Sequence, residues 1–219
     1  MLENVKAFIF DLDGVITDTS VLHEKAWRKM AQEDGIPFPE NLSNSLRGVS
    51  RRKSLELILE NTDRKYTEIE IQEMMDRKNR YYRESLAELS PNNLLPGAEE
   101  LIDTLNINGY KVAIGSSSKN AAVVIEKLGI KHKLDAVVDG TEIEKSKPDP
   151  EIFLKAAEKL ALPPNECAVV EDAASGVEAA NAGGFVSIGI GPESRFIQEN
   201  QKPNMRLNNV QELLKNLIN

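Results

Sequence analysis

The stretch FIFDLDGVITDTS, residues 8–20, changes abruptly from apolar side chains to carboxylates. The run VKAFIF, residues 5–10, has the length and composition of a strand that is buried on both faces. Asp11 and Asp13 follow it directly, and Gly14 comes next. In an open parallel sheet, ligands bind at the carboxyl ends of the strands. The stretch therefore predicts a central strand whose carboxyl end carries the chemistry of the protein.

Four later apolar runs also have the length of buried strands, and amphipathic segments separate them. Strands that alternate with helices indicate a mostly parallel sheet with helices on both faces. The chain ends in NVQELLKNLIN, which has the pattern of a final amphipathic helix. The four runs are YKVAIGS (110–116), DAVVDG (135–140), CAVVED (167–172) and FVSIGIG (185–191).

The interval between the first two strands is helical in pattern rather than a short crossover. Thr67 and Glu70 form a capping-box pattern before a long periodic segment. Proline and glycine in PNNLLPGAEE indicate the return to the sheet. The sequence thus predicts an α/β fold, a Rossmann-like parallel sheet core (residues 1–15 and 93–219) with a helical cap domain (residues 16–92) inserted after the first strand.

The composition of the chain argues against several classes of function. The chain has 219 residues and a net charge of -8, which argues against binding to nucleic acid or to an anionic membrane surface. The single cysteine, Cys167, excludes an internal disulfide and a cysteine-based zinc site. The apolar run at the N-terminus is too short for a signal peptide, and no run reaches the ~20 apolar residues of a membrane span. We expect a cytoplasmic monomer that does not contact membranes.

Three of the predicted strands end in polar side chains. Asp11 and Asp13 follow the first strand, Ser116 to Ser118 follow the second, and Glu171 with Asp172 ends the fourth. Carboxylates gathered at one edge repel each other unless a cation lies among them. Hard oxygen ligands in a small site favour Mg²⁺, which commonly also binds phosphate oxygens. The pattern predicts a magnesium site and a phosphorylated substrate.

Positive and hydrogen-bonding groups follow the second and third predicted strands. Lys147 lies in EKSKPDP after the third strand, and Lys119 and Asn120 begin the helix after the serines. A helix N-terminus flanked by hydroxyl groups suits a phosphate. Asp11 beside the metal can stay ionised and act as a nucleophile. Asp13 projects to the same side and can act as general acid and base.

Four motifs occur in this order, each after its own strand: DLDGVITDT, SSSKN, KSKPDP and VVEDAASG. Together they resemble the haloacid dehalogenase superfamily of phosphotransferases over about residues 5–191. Within the insert, HEKAW, RGVSRRKSLE and DRKNRYY resemble the β-phosphoglucomutase family. That family interconverts β-glucose 1-phosphate and glucose 6-phosphate through β-glucose 1,6-bisphosphate.

The resemblance implies a role for each matching residue. Asp11 is the expected nucleophile and Asp13 the expected acid and base. Mg²⁺ is expected on Asp11, the backbone carbonyl of Asp13, Glu171 and Asp172. Ser116, Ser117 and Lys147 are expected to bind the transferring phosphoryl group. The other phosphate is expected on Arg51, with Ser118, Lys119 and Asn120 across the cleft. The expected sugar-lining or closure residues are Thr19, His23, Trp27, Gly48, Val49, Ser54 and Lys78.

Two other functions fit much of this pattern. A sugar-phosphate phosphatase on the same scaffold would use nearly the same residues, with water attacking the phosphorylated aspartate. A phospho-receiver also pairs strand-end aspartates with Mg²⁺, but it lacks a long helical segment after the first strand. The basic insert segment RGVSRRKS favours a mutase, because a mutase needs a second phosphate site.

Overall fold

The protein is described here by a computed structural model, which covers residues 2–40, 42, 46 and 50–218. Six parallel strands form one sheet in the order β3-β2-β1-β4-β5-β6. The strands are β1 (Ala7–Phe10), β2 (Lys111–Gly115), β3 (Ala136–Val138), β4 (Cys167–Glu171), β5 (Val186–Ile190) and β6 (Met205–Leu207). The α/β class and the parallel sheet predicted from the sequence are confirmed.

Eight α-helices lie in the described part of the chain. Four of them lie between β1 and β2, and the others alternate with the later strands or follow the last one. The helices are α1 (Ser20–Glu33), α2 (Arg51–Leu59), α3 (Glu68–Ser85), α4 (Ala98–Ile107), α5 (Ala121–Lys127), α6 (Glu151–Leu160), α7 (Ala174–Ala182) and α8 (Val210–Ile218).

Strand β1 lies at the centre of the sheet, and all four of its residues are fully buried. Its side chains alternate between two hydrophobic clusters. Phe8 and Phe10 pack in a cluster with residues of α4, α5 and α8. Ala7 and Ile9 pack on the opposite face, with residues of α6 and α7. A wholly apolar strand is the natural centre of a sheet that helices cover on both faces.

Residues 20–85, with α1 to α3, form what we call the helical insert. The insert has a hydrophobic cluster of its own, to which Trp27, Met30 and Leu55 belong. The predicted capping box of α3 is confirmed, because the Thr67 hydroxyl accepts from the Glu70 backbone N–H and the Glu70 carboxylate accepts from that of Thr67. Separate hydrophobic packing and capped helices allow the insert to keep its shape beside the sheet.

The two segments that join the insert to the sheet run side by side. The Leu95 backbone N–H donates to the Ile16 carbonyl at 2.8 Å, and the Thr17 hydroxyl donates to the Asn93 carbonyl at 2.7 Å. Thr17 also forms an isolated antiparallel bridge with Leu94. These contacts lie near the predicted boundaries of the cap, 16–92, and support a division that stays a prediction.

Strand β6 is absent from the sequence prediction, which placed only a helix after Gly191. The strand has three residues at the edge of the sheet, and only Leu207 among them is buried. So short a run leaves no alternating pattern to detect. The final helix is confirmed as α8. Within the described residues, no helix combines the length and the apolar character needed to cross a membrane.

Candidate active site

A cavity of about 610 Å³ lies between the carboxyl edge of the sheet and the helical insert. Most of the predicted site residues line it, namely Asp11, Asp13, His23, Trp27, Arg51, Ser54, Lys78, Ser116, Ser117, Ser118, Lys119, Lys147 and Asp172. Thr19, Asn120 and Glu171 are buried and form hydrogen bonds with lining residues, namely Asp13, Ser118 and Lys147. Gly48 and Val49 lie outside the described residues. The sequence therefore identified residues that the fold brings together.

The floor of the cavity is a buried charge cluster. The Lys147 ammonium donates to Asp11 Oδ1 at 2.6 Å, to Glu171 Oε1 at 2.5 Å and to the Gly115 carbonyl at 3.3 Å. The Lys147 side chain is 1% exposed, so solvent does little to screen its charge. These contacts join the ends of β1, β2 and β4 to the loop after β3.

The pKa values in this cluster reflect burial and mutual interaction. Burial raises the pKa of Glu171 to about 8; Lys147 lowers it, and the nearby charges of Asp11 and Asp172 raise it further. Burial alone would lower the pKa of Lys147, but its two carboxylate partners raise it overall. Lys147 therefore stays charged, and the repulsion from Asp11 and Asp172 that raises the pKa of Glu171 shows how closely the acidic groups are gathered.

The acidic cluster fits a divalent cation. Asp11, Glu171 and Asp172 each offer a carboxylate oxygen, and these oxygens lie within 4.8 Å of one another. All three residues are buried. Carboxylate oxygens are the ligands that Mg²⁺ prefers, and a bound cation would reduce the repulsion among these groups. Arg195 adds positive charge at the edge of this cluster, since its Nη1 lies 3.2 Å from Asp172 Oδ2.

Two glycines make room for these carboxylates. A Cβ at Gly14 would lie 2.3 Å from Asp172 Oδ2, and a Cβ at Gly176 would lie 1.9 Å from Glu171 Oε1. Gly14 also has φ +88°, a conformation that favours glycine. The glycines of DLDG and ASG therefore allow the loop after β1 and the helix α7 to approach the acidic cluster closely.

Asp13 differs from Asp11 in its surroundings. Its Oδ1 accepts from the Thr19 backbone N–H at 3.1 Å and from the Thr19 hydroxyl. Burial, together with the charge of Asp11, raises the pKa of Asp13 to about 6, although the hydrogen bonds from Thr19 act in the opposite direction. A carboxyl with this pKa can hold or release a proton near neutral pH.

Helices α1 and α3 place a buried basic group next to Asp13. Lys78 Nζ lies 2.7 Å from His23 Nδ1, and it also lies over the rings of Trp27 and Tyr82 at 4.9 Å from each centroid. The rings of His23 and Tyr82 stack, with centroids 3.9 Å apart. Burial is the largest cause that lowers the pKa of Lys78 to about 7, and Arg51 contributes to the same shift. Burial likewise lowers the pKa of His23, which is therefore neutral.

This shift predicts a pH dependence of stability. Between pH 7 and the ordinary Lys78 pKa of 10.5, the unfolded chain holds a proton at Lys78 that the folded protein has released. The free energy of unfolding therefore rises with pH in this window, by roughly 1.4 kcal/mol per pH unit at most for one proton. We expect the wild type to gain stability relative to Lys78→Met from pH 7 to 9 in urea denaturation. A constant difference between the two proteins would contradict the assignment.

The serine loop after β2 offers hydroxyl and N–H groups to the cavity. The Ser118 N–H donates to the Ser116 hydroxyl at 3.2 Å, and the Asn120 N–H donates to the Ser118 hydroxyl at 3.3 Å. The buried Ser117 hydroxyl has no hydrogen-bond partner within the described structure. A buried hydroxyl in a cavity wall, with no protein partner, is a ready contact for a polar ligand.

The basic group opposite this loop is Arg51, at the start of α2. Its Nη2 donates to Asn79 Oδ1 at 2.9 Å, and Asn120 Nδ2 donates to the same oxygen at 2.9 Å. Burial lowers the pKa of Arg51, but an arginine remains charged at neutral pH. The neighbouring Arg52 instead forms ion pairs with glutamates of the insert. The expectation that Arg51, rather than Arg52, serves the cleft stays a prediction that these contacts support.

The sequence analysis missed Asn79, Tyr82 and Arg195, and from the loop after β3 it identified only Lys147. Tyr82 follows Lys78 by one helical turn, so its place on the same face of α3 was available as a signal. Arg195 lies in a short 3₁₀ segment with no local pattern that points to Asp172. From the loop after β3, Gly140, Ile143, Glu144 and Ser146 line the cavity.

Comparison with known proteins agrees with this arrangement. The β-phosphoglucomutase of Bacillus subtilis is 44% identical over 189 residues, which cover 85% of this chain and 84% of that protein. A phosphatase of phosphorylated carbohydrates from Thermotoga maritima is 33% identical over 190 residues, with 84% of each chain covered. The crystal structure of a β-phosphoglucomutase from Clostridium difficile has a TM-score of 0.89 and 38% identity, covering 97% of this chain and 96% of that one.

The match to a family model spans most of the chain. The model describes haloacid dehalogenase-like hydrolases and matches residues 5–184, which contain the central strand, the helical insert and the acidic cluster. The chain therefore belongs to the haloacid dehalogenase-like hydrolase family.

Proposed function

We propose that the protein is a phosphomutase that interconverts β-D-glucose 1-phosphate and glucose 6-phosphate through an aspartyl-phosphate and β-glucose 1,6-bisphosphate. The observation that carries the proposal is a single cavity with anion-binding groups on two sides. Lys147 and the serine loop lie at its floor, and Arg51 lies in the wall formed by the insert. A mutase must hold a bisphosphate in either orientation, and two such sites meet that need.

In the first step, an Asp11 oxygen attacks the phosphorus of the bisphosphate. The bond between phosphorus and the sugar oxygen breaks, and Asp13 gives its proton to that leaving oxygen. The products are an aspartyl-phosphate at Asp11 and a sugar monophosphate. Asp13, hydrogen-bonded to Thr19, is within the same cavity and has the raised pKa that an acid needs at neutral pH.

In the second step, the sugar monophosphate presents its other hydroxyl to the aspartyl-phosphate. Asp13 takes the proton of that hydroxyl as the new oxygen–phosphorus bond forms, and the bond to Asp11 breaks. The bisphosphate is regenerated and Asp11 returns to a carboxylate. Starting from β-glucose 1-phosphate and a phosphorylated Asp11, the cycle releases glucose 6-phosphate after the bisphosphate turns around.

The residues around the phosphoryl group stabilise its charge. Lys147 contacts Asp11 directly, and Ser116 and Ser117 line the floor beside it. We assign Asp11, Glu171 and Asp172 as side-chain ligands of Mg²⁺, with the Asp13 carbonyl as a further ligand. Bound Mg²⁺ would neutralise negative charge on the transferring group and on its attacking oxygen. We assign the phosphate that is not transferred to Arg51, Ser118, Lys119 and Asn120.

The remaining residues are assigned to the sugar and to closure. Lys78 and His23 contact each other and line the same cavity as Asp13, and Thr19 holds the Asp13 carboxyl by two hydrogen bonds. Trp27 and Ser54 line the insert side of the cavity. A wall of this kind would shield an aspartyl-phosphate from water, which a mutase requires.

The second candidate is a sugar-phosphate phosphatase, in which water replaces the sugar hydroxyl in the second step. It is favoured by the relative from Thermotoga maritima, which is named as a phosphatase of phosphorylated carbohydrates. The two activities share the floor of the site and differ in whether a second phosphate is held. Arg51 favours the mutase, because it gives the cavity a second group that can hold a phosphate.

A product assay separates the two. The protein is incubated with β-glucose 1-phosphate, Mg²⁺ and a trace of β-glucose 1,6-bisphosphate, and glucose 6-phosphate and free phosphate are measured together. We expect sustained formation of glucose 6-phosphate with little free phosphate. Free phosphate in step with substrate loss would support the phosphatase instead, and loss of neither substrate nor bisphosphate would contradict both.

A further inference from the structure

The Arg51 guanidinium belongs to the proposed site of the phosphate that is not transferred, here called the distal phosphate, and hydrogen bonds through Asn79 link it to both sides of the cleft. The guanidinium bonds to Asn79 on α3, and Asn79 bonds in turn to Asn120 beside the sheet. Arg51 lines the cavity, whereas Asn79 and Asn120 lie behind that wall. The three side chains form a hydrogen-bonded chain that leads from the cavity to the core.

The chemistry of Arg51 settles the orientation of both amides. A guanidinium can only donate, so the Asn79 atom that faces it must be the oxygen. The Asn120 atom that faces the same oxygen must then be its amide nitrogen. Within the described residues, this is the one hydrogen bond that the Arg51 guanidinium makes, so it can present other N–H groups to a ligand.

We propose that Asn79 is a positioning residue that sets the orientation of the Arg51 guanidinium toward the distal phosphate and anchors it to the core through Asn120. This inference rests on the proposed function, since it assigns a supporting residue to the same phosphate site. Asn79 Oδ1 accepts one hydrogen bond from Arg51 and one from Asn120, so it is held between the insert and the core. A preorganised arginine loses less rotational freedom when a phosphate binds than a free one does.

The first test is a double-mutant cycle with steady-state kinetics. We expect Asn79→Ala to raise KM for β-glucose 1-phosphate by about 10- to 100-fold, the range for a hydrogen bond to a charged group, and to leave kcat within roughly twofold, as for uniform binding. In an Arg51→Ala background, the same change should raise KM by less than roughly twofold, because the residue acts through Arg51. Additive effects in the two backgrounds would overturn the proposal.

The second test does not depend on turnover. In the wild type, the Nη protons of Arg51 should show restricted rotation by NMR. Asn79→Ala should release that rotation, whereas Asn79→Asp should retain it, because a carboxylate oxygen accepts from both donors. Glu84→Gln, at an exposed position on the same helix, is the matched control and should leave both KM and the Arg51 signals unchanged.

The two tests keep the inference separate from the proposed function. If the wild type forms no glucose 6-phosphate but Asn79→Ala changes the Arg51 signals, the mutase assignment is rejected and the positioning role of Asn79 is kept. If the wild type is active but Asn79→Ala leaves the Arg51 signals unchanged, only the positioning role of Asn79 is rejected. Asn79→Asp also covers the case in which Asn79→Ala does not fold.

Discussion

Asp11→Asn is expected to abolish turnover, with a loss in kcat of about 10⁴-fold or more. The amide has nearly the shape of the carboxylate, so the packing around it can remain. It lacks the charge and the nucleophilic oxygen, and no aspartyl-phosphate can form. It also removes one of the three carboxylates that are gathered at the floor of the cavity. The substitution therefore affects both the nucleophile and the proposed metal site.

The measurement combines turnover with detection of the covalent intermediate. Wild-type protein that is quenched in acid after mixing with phosphorus-labelled β-glucose 1,6-bisphosphate should carry label, and Asp11→Asn should carry none. Thermal unfolding of both proteins checks that the variant is folded. Normal turnover in a folded Asp11→Asn protein would exclude the covalent mechanism.

Asp13→Asn is expected to slow turnover by about 10²–10⁴-fold, the usual contribution of general acid–base catalysis. The Asn oxygen can still accept from the Thr19 N–H and hydroxyl, so the local structure can be kept. The side chain can no longer give a proton to the leaving oxygen or take one from the attacking hydroxyl. Removal of a buried carboxyl with a raised pKa is also expected to leave folding intact.

The informative comparison is between the two half-reactions. Single-turnover experiments should show that Asp13→Asn slows both phosphoryl transfer from the sugar and transfer back to it, while magnesium binding stays close to that of the wild type. Asp63→Asn makes the same charge change in an exposed loop between α2 and α3 and serves as the control. Equal rates in Asp13→Asn and Asp63→Asn would remove Asp13 from its assigned role.

The sheet was predictable because its strands are buried on both faces. The runs AFIF and CAVV are apolar throughout, and a carboxylate of the site, Asp11 or Glu171, follows each of them directly. The ends of such strands lie at one edge of a parallel sheet, so Asp11, Ser116 and Asp172 could be grouped from the sequence. Strand β6 was not predicted, because three residues at a half-exposed edge of the sheet are too few to show a hydrophobic pattern.

The partners of the site residues were harder to predict than the residues themselves. Thr19 contacts Asp13 within the short segment before α1. The contact of Lys78 with His23 instead depends on how α1 and α3 pack, which no local pattern encodes. Asn79 shows the difference most clearly. It reads as one more polar residue on a solvated helix, and only the packing of the insert against the sheet makes it a neighbour of Asn120.

The paired connections between the sheet and the helical insert bear on how such proteins diversify. The chain leaves the sheet for the insert at Ile16 and returns at Leu95, and these two residues are hydrogen-bonded neighbours. The distance between the two ends of the insert is therefore fixed by the sheet domain. An inserted domain is tolerated best where the entering and leaving segments of the chain lie close together. A different helical segment could be accommodated between the same two residues without altering the acidic floor, so substrate choice could evolve independently of the phosphoryl-transfer chemistry.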